Sequence, residues 1–117
     1  MVAVNVHTGD IAWKSPLGVT EGLPEGKQNT GRPNIAGSIA TAGGLVFISG
    51  ADDSRFRAYE AKTGKEVWTV KMNASGSAVP STYLGKNGKQ YVVITATGGS
   101  NSGAPLKSDE VTAFALP

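Results

Sequence analysis

The chain of 117 residues contains no cysteine and a single histidine, His7. The lack of cysteine excludes disulfides, thiolate metal sites and a cysteine nucleophile. One histidine and no G-x-S-x-G motif give a hydrolytic triad little support. His7 itself directly precedes a Thr-Gly turn, so we expect it to be a solvated turn residue rather than a base or a metal ligand.

Long apolar runs and clusters of like charge are also missing. No run approaches the ~18 apolar residues of a membrane span, and the first residues lack the basic and then apolar pattern of a signal peptide. The net charge of +2 is spread along the chain, so no nucleic-acid or membrane-surface patch is predicted. Because the chain begins with what reads as a strand, MVAVNV, we expect it to be a piece of a larger protein.

Glycine, in contrast, is abundant, with 16 of 117 residues, about twice the usual ~7 %. Short β-rich apolar runs alternate with turn residues, and no stretch sustains the apolar spacing of a helix. Thr8-Gly9, Gly43-Gly44, Thr63-Gly64 and Asn87-Gly88 each place glycine where a tight hairpin needs positive φ. The length allows one domain, so the sequence predicts an all-β antiparallel meander.

An internal repeat with a period of 55 residues is the strongest signal. Its members belong to a hairpin that joins two strands: Ala3, Thr8, Gly9 and Trp13 in the first copy, Ala58, Thr63, Gly64 and Trp68 in the second, and Ala113 in the third. Two unrelated hairpins, each with a core tryptophan, are the alternative, which the shared register disfavours.

A repeat of roughly 40–55 residues with four short antiparallel strands is typical of a β-propeller blade. We predict a β-propeller fragment with one complete four-stranded blade at residues 37–71. The end of another blade precedes it at 1–14, and an incomplete blade follows at 78–117. The small alanine lets neighbouring strands approach, and the tryptophan on the outer strand can bury its ring against the next blade.

These residues resemble a known family. The Thr-Gly-x3-Trp element is similar to the tryptophan-docking motif of eight-bladed quinoprotein dehydrogenases, which use pyrroloquinoline quinone (PQQ). The segments IATAGGLVFISGADDSRFRAYEAKTGKEVWTVKM (39–72) and GKNGKQYVVITATGG (85–99) resemble the last blades of the membrane-type and soil-bacterial glucose dehydrogenase-like branch. SDEVTAFALP (108–117) resembles the C-terminal end of that branch.

The resemblance implies the C-terminal portion of a periplasmic PQQ-dependent sugar or alcohol dehydrogenase, which oxidises CH–OH donors and passes the electrons to the quinone. PQQ and Ca²⁺ would be cofactors of the intact enzyme. The family's catalytic Asp, its Ca²⁺-binding Glu and Asn, and the Trp that stacks on PQQ lie in earlier blades, so no catalytic or metal-binding residue is assigned here. We therefore expect the chain alone to be inactive and to bind neither cofactor.

The long polar loops on one face of the predicted blades are the expected place for function. Rim candidates for cofactor binding are Asp53, Arg32, Arg55 and Asn101, with Asn34, Lys107 and Asp109 beside them. By resemblance, Asp53 matches an acidic residue near the cofactor or metal, and the alternative is an aspartate that caps a strand-end turn. The arginines could pair with quinone carboxylates, and ordinary surface salt bridges are their alternative.

A second class of function stays open, a non-catalytic propeller scaffold that resembles outer-membrane assembly lipoproteins and binds a peptide or protein at its rim. In both cases the incomplete blades leave open strand edges, which readily pair with other strands. The expected partners are the remaining blades or other copies of the chain.

Overall fold

The computed structural model describes residues 1–98 and 107–115, and it contains strands but no helix within those ranges. No membrane-spanning helix is therefore found in the part of the chain that the structure describes. The strands, in chain order, are β1 (Val2–Val4), β2 (Ile11–Lys14), β3 (Ser38–Ala40), β4 (Leu45–Ile48), β5 (Arg55–Glu60), β6 (Glu66–Lys71), β7 (Ser81–Leu84), β8 (Gln90–Gly98) and β9 (Lys107–Ala115).

The strands form three antiparallel sheets whose order follows the chain: β1-β2, β3-β4-β5-β6 and β7-β8-β9. The first sheet supplies the last two strands of a blade, the second all four strands, and the third the first three. This confirms the predicted fold class, an all-β propeller fragment with one complete blade between two partial ones. We call them the first, middle and last blade.

The two copies of the repeated hairpin have the same local geometry. Ala3 lies opposite Trp13 and Ala58 lies opposite Trp68, and each hairpin has a register shift directly after its alanine. The N–H of Gly9 donates to the carbonyl of Asn5, and that of Gly64 to the carbonyl of Glu60, both at 2.8 Å. Both glycines have positive φ, 79° and 71°, which explains why each turn requires glycine.

The main core lies between the middle and last blades. It is built from side chains on the facing surfaces of the two sheets: Phe47, Phe56, Ala58, Met72, Val92, Ile94 and Ala96. Phe56 and Phe114 lie 5.7 Å apart between ring centroids, and Trp68 meets both rings edge-on. A smaller cluster of Leu17, Ile48 and Tyr59, with Met1 packed against it, joins the middle blade to the connection that follows β2 and to the start of the chain.

A tryptophan also ties the first blade to the middle one. The indole of Trp13 packs on the backbone of Gly64, so closely that a Cβ there would lie 2.4 Å from the ring. Trp13 Nε1 donates a hydrogen bond of 2.9 Å to the carbonyl of Ala61. The tight turns at 5–10, 41–44 and 61–65 lie on this side of the blades, which we call the turn face.

Candidate functional site

The opposite side, which we call the rim face, carries the longer connections at 15–37 and 49–54. Most of the first connection folds into a small closed unit, residues 17–32, which we call the rim lobe. Backbone hydrogen bonds close it, from Arg32 N to Leu17 O at 2.8 Å and from Thr20 N to Gln28 O at 2.8 Å. The hydroxyl groups of Thr20 and Thr30 are 2.8 Å apart and join the two sides of the lobe. The lobe is therefore a folded element rather than an extended linker.

A buried ion pair between Asp53 and Arg57 lies beneath the rim lobe. Both side chains are about 1 % exposed, and both guanidinium nitrogens Nη1 and Nη2 donate to the carboxylate. Asp53 also accepts the N–H of Val19 at 2.8 Å and that of Arg55 at 3.2 Å. One carboxylate thus joins the lobe, the strand-end turn and the middle of strand β5.

Burial alone would raise the pKa of Asp53. The hydrogen bonds from Arg57 and from the N–H of Val19 outweigh that effect and bring the pKa below its ordinary value. Burial, followed by the nearby Glu66 carboxylate, raises the pKa of Tyr59 instead. The hydroxyl of Tyr59 therefore stays protonated and donates to Glu66 Oε2 at 3.1 Å.

Ion pairs with at least one solvent-exposed member hold the outer part of the rim lobe against the middle blade. Arg32 forms a two-point contact with Asp52, with both N–O distances 2.6 Å. Glu21 lies 2.7 Å from Arg55 Nη2 and 2.9 Å from Lys71 Nζ. The hydrogen bond from Lys71 and that from Arg55 lower the pKa of Glu21. All these charged groups are paired within the chain.

The structure brings three of the four cofactor-binding candidates together, since Arg32, Asp53 and Arg55 all lie at the rim face. Asn101 lies outside the described residues. Asp53 accepts the N–H of Arg55 two residues later, which is the turn-capping role that was its alternative. Arg32 and Arg55 each form a salt bridge, which was the alternative to cofactor binding for these two arginines. Their role in cofactor binding stays a prediction.

The sequence reasoning missed the buried partner, Arg57. A usable signal was present, because Arg57 stands between Phe56 and Ala58 inside a predicted strand and four residues after Asp53. A charged residue in that setting is almost never buried without a partner. The partners Asp52 and Glu21 carried no comparable signal, since acidic residues in loops are common at protein surfaces.

Comparison with known proteins decides the family. Residues 1–92 match the family model described as "PQQ: Glucose/ethanol/alcohol dehydrogenase, beta-propeller domain". The chain belongs to this family. This confirms the resemblance inferred from the repeat.

Individual members of the PQQ family are similar over nearly the whole chain. A probable quinate dehydrogenase (quinone) of Xanthomonas campestris pv. juglandis is 39 % identical over 98 % of the chain, and quinoprotein glucose dehydrogenase A of Acinetobacter calcoaceticus is 37 % identical over 100 %. Among solved structures, a europium-containing methanol dehydrogenase matches 83 % of the chain and 14 % of its own, with a TM-score of 0.64 and 28 % identity. The chain spans only 15 % of the length of those two sequence relatives.

The rim face does not by itself fit the family's quinone cofactor. It has a shallow cleft of about 280 Å³, whose lining includes the carboxylate residues Glu21, Asp52 and Asp53 and the guanidinium of Arg32. Arg32 is already paired with Asp52, and Arg55 with Glu21. A quinone carboxylate would therefore meet an acidic side chain beside each arginine. Among residues 1–98 and 107–115, no three His, Cys, Asp or Glu side chains, these three carboxylates included, are arranged so that they could hold a metal ion.

Proposed function

We propose that this chain is part of a PQQ-dependent dehydrogenase that oxidises CH–OH groups of sugars or alcohols, and that it supplies blade walls and part of the cofactor-side rim. The observation that carries the proposal is the family match over residues 1–92, which includes the whole middle blade and its rim lobe. The cofactor and Ca²⁺ are held by other parts of the intact protein, in the periplasm.

In the intact enzyme PQQ would accept the electrons of the oxidised CH–OH group. The residues described here have a supporting part in that reaction. The Trp13 contact fixes the first blade against the middle one, and the ion pairs at the rim face hold the rim lobe in one position. Such scaffolding matters because small displacements of groups around a reacting centre are costly in rate.

The same proposal extends to the strand that would complete the last blade. Strand β9 has β8 on one side and no neighbouring strand on the other among the described residues. In the middle blade the corresponding place is taken by β6, which pairs with β5. We propose that β9 pairs with a strand from the remaining blades, or with a second copy when the chain is alone. Light scattering should therefore show self-association, and a stable monomer at all concentrations would contradict it.

The test of the enzymatic proposal compares the intact protein that carries these blades with the chain alone. Titration with PQQ in the presence of Ca²⁺, followed by absorbance, should show saturable binding by the intact protein only. Assays with glucose, quinate and ethanol and an artificial electron acceptor should then show turnover by the intact protein.

Two outcomes would contradict the proposal. Failure of the intact protein to bind PQQ would favour the non-catalytic scaffold. Turnover of any of these donors by the chain alone would show that the described blades contain a complete active site.

A further inference from the structure

The rim lobe is attached to the middle blade by contacts of three kinds. Leu17 at its base is buried with Ile48 and Tyr59. Ion pairs that are exposed on at least one side hold its outer part, from Arg32 to Asp52 and from Glu21 to Arg55 and Lys71. The third contact is the hydrogen bond from the N–H of Val19 to the buried carboxylate of Asp53.

These contacts differ in how firmly they can hold the lobe. Each of these ion pairs has a solvent-exposed member, Arg32 or Glu21, so salt and water weaken it more than they weaken a fully buried contact. The Asp53 carboxylate is withdrawn from water, held by Arg57 and aimed at the lobe backbone, and hydrogen bonds to a buried charge are the stronger kind. Since Arg57 belongs to the middle of strand β5, this contact transmits the rigidity of the sheet to the lobe.

We infer that Asp53 and Arg57 are positioning residues that hold the rim lobe in place through the N–H of Val19, rather than residues that contact the cofactor. The inference rests on the proposed function only in that it places the lobe at the cofactor-side rim. Each carboxylate oxygen of Asp53 accepts two hydrogen bonds from this chain. Oδ1 accepts from Arg57 Nη1 and the N–H of Arg55, and Oδ2 accepts from Arg57 Nη2 and the N–H of Val19.

The experiment uses the intact protein with Asp53→Leu and Arg57→Met combined. Replacing both charges by apolar groups of similar size keeps the blade core neutral, but it removes the acceptor for Val19. The single variant Asp53→Asn accompanies it, and Asp10→Asn, on the exposed turn of the first hairpin, is the matched control.

The first readout is independent of activity. Lys27 lies at the exposed tip of the lobe, so trypsin should cut after it faster when the lobe is released. We expect the double variant to raise both the initial cleavage rate and the hydrogen-exchange rate of the Val19 amide about ten-fold. Hydrogen exchange in β5 should stay unchanged in the double variant, and the Asp10→Asn control should show wild-type rates of cleavage and exchange. A wild-type cleavage rate in the double variant, with β5 still protected, would overturn the inference.

The second readout separates positioning from cofactor contact. A released lobe should raise KM for the CH–OH donor about five-fold with kcat and PQQ affinity little changed. Loss of PQQ affinity in the double variant, without release of the lobe, would overturn the inference and assign Asp53 to the cofactor. Absence of PQQ binding in the wild-type protein would instead count against the proposed function, and the proteolysis and exchange results would still decide the role of Asp53.

Discussion

The chain that precedes the middle blade is attached to it at two places by different kinds of interaction. On the turn face, the indole of Trp13 packs against Gly64 and donates to the carbonyl of Ala61. On the rim face, the rim lobe is held by Asp53, which is itself held by Arg57. The first attachment depends on shape and the second on charge. We therefore expect a change in side-chain volume at Gly64 or Trp13 to disrupt the first attachment, and protonation of Asp53 to disrupt the second.

The second copy of the hairpin shows what the Trp13 contact requires. Trp68 stands in the same register as Trp13 but remains 37 % exposed. It meets Phe56 and Phe114 and lines an apolar groove of about 340 Å³ between the middle and last blades. Gly9 has nothing within 4 Å of its Cβ position, whereas Gly64 is covered by the Trp13 ring. The motif therefore fixes the hairpin locally, and docking additionally needs the turn of the following blade.

The largest expected effect is that of Gly64→Ala, compared with Gly9→Ala. Both glycines have positive φ, so each alanine carries a strain of about 1 kcal/mol. At Gly64 the new methyl group must also displace the Trp13 indole, so we expect a total loss of about 3 kcal/mol. Urea unfolding of both variants measures the difference. Equal losses would show that the indole moves aside freely and that the shape-based attachment is weak.

The next effect in size is that of Trp13→Phe, with Trp68→Phe as its matched control. Phenylalanine at Trp13 loses the hydrogen bond to Ala61 and part of the contact with Gly64, so we expect a loss of about 2 kcal/mol. At Trp68, whose ring is partly exposed, we expect about 1 kcal/mol from weakened edge contacts. Denaturant midpoints should rank the two variants in this order. The reverse order would mean that the aromatic cluster between the middle and last blades contributes more to stability than the Trp13 contact between the first and middle blades.

The sequence predicted the blade architecture well because turn chemistry and strand pattern are local. Glycine at a positive-φ turn and an alanine opposite a tryptophan appear at the same spacing twice, and the structure has the same hairpin in both places. The repeat could not predict that Trp13 and Trp68 would have different neighbours, the backbone of Gly64 for Trp13 and the rings of Phe56 and Phe114 for Trp68. That difference depends on which turn faces each ring, a contact between distant parts of the chain.

The sequence predicted that Arg32, Asp53 and Arg55 lie on the rim face, but it did not predict which charged residues they pair with. Loop connections on one side of a propeller follow from strand order, so the face was predictable. Pairing depends on the path of a 16-residue lobe, residues 17–32, that has no repeating pattern. The pairing of Asp53 with Arg57 could have been anticipated from burial of a charge in a strand, whereas the pairing of Arg32 with Asp52 could not.

Lowering the pH should have the smallest effect on stability. It is nevertheless the sharpest test of the difference between the two attachments. The pKa of Asp53 is lower in the folded chain than its ordinary value near 3.9. As the pH falls below about 4, the unfolded chain therefore takes up this proton first. Stability supplied by Asp53 is complete above that pH and is lost progressively as the pH falls through the folded pKa. Glu66, which also faces Arg57, would partly compensate for the charge.

Acid should therefore loosen the rim face before the turn face. Trp68→Phe leaves Trp13 as the sole tryptophan, because the chain has two, so its emission reports the turn face alone. As the pH is lowered from about 6 to below about 4 and through the folded pKa of Asp53, exchange of the Val19 amide, corrected for its intrinsic pH dependence, should speed up before the Trp13 emission changes. The Asp53→Leu and Arg57→Met double variant, in which the ion pairs of Glu21 remain, should show a much smaller acid-dependent step. Simultaneous changes at both faces would mean that the two attachments form one cooperative unit and that the distinction between shape and charge does not hold.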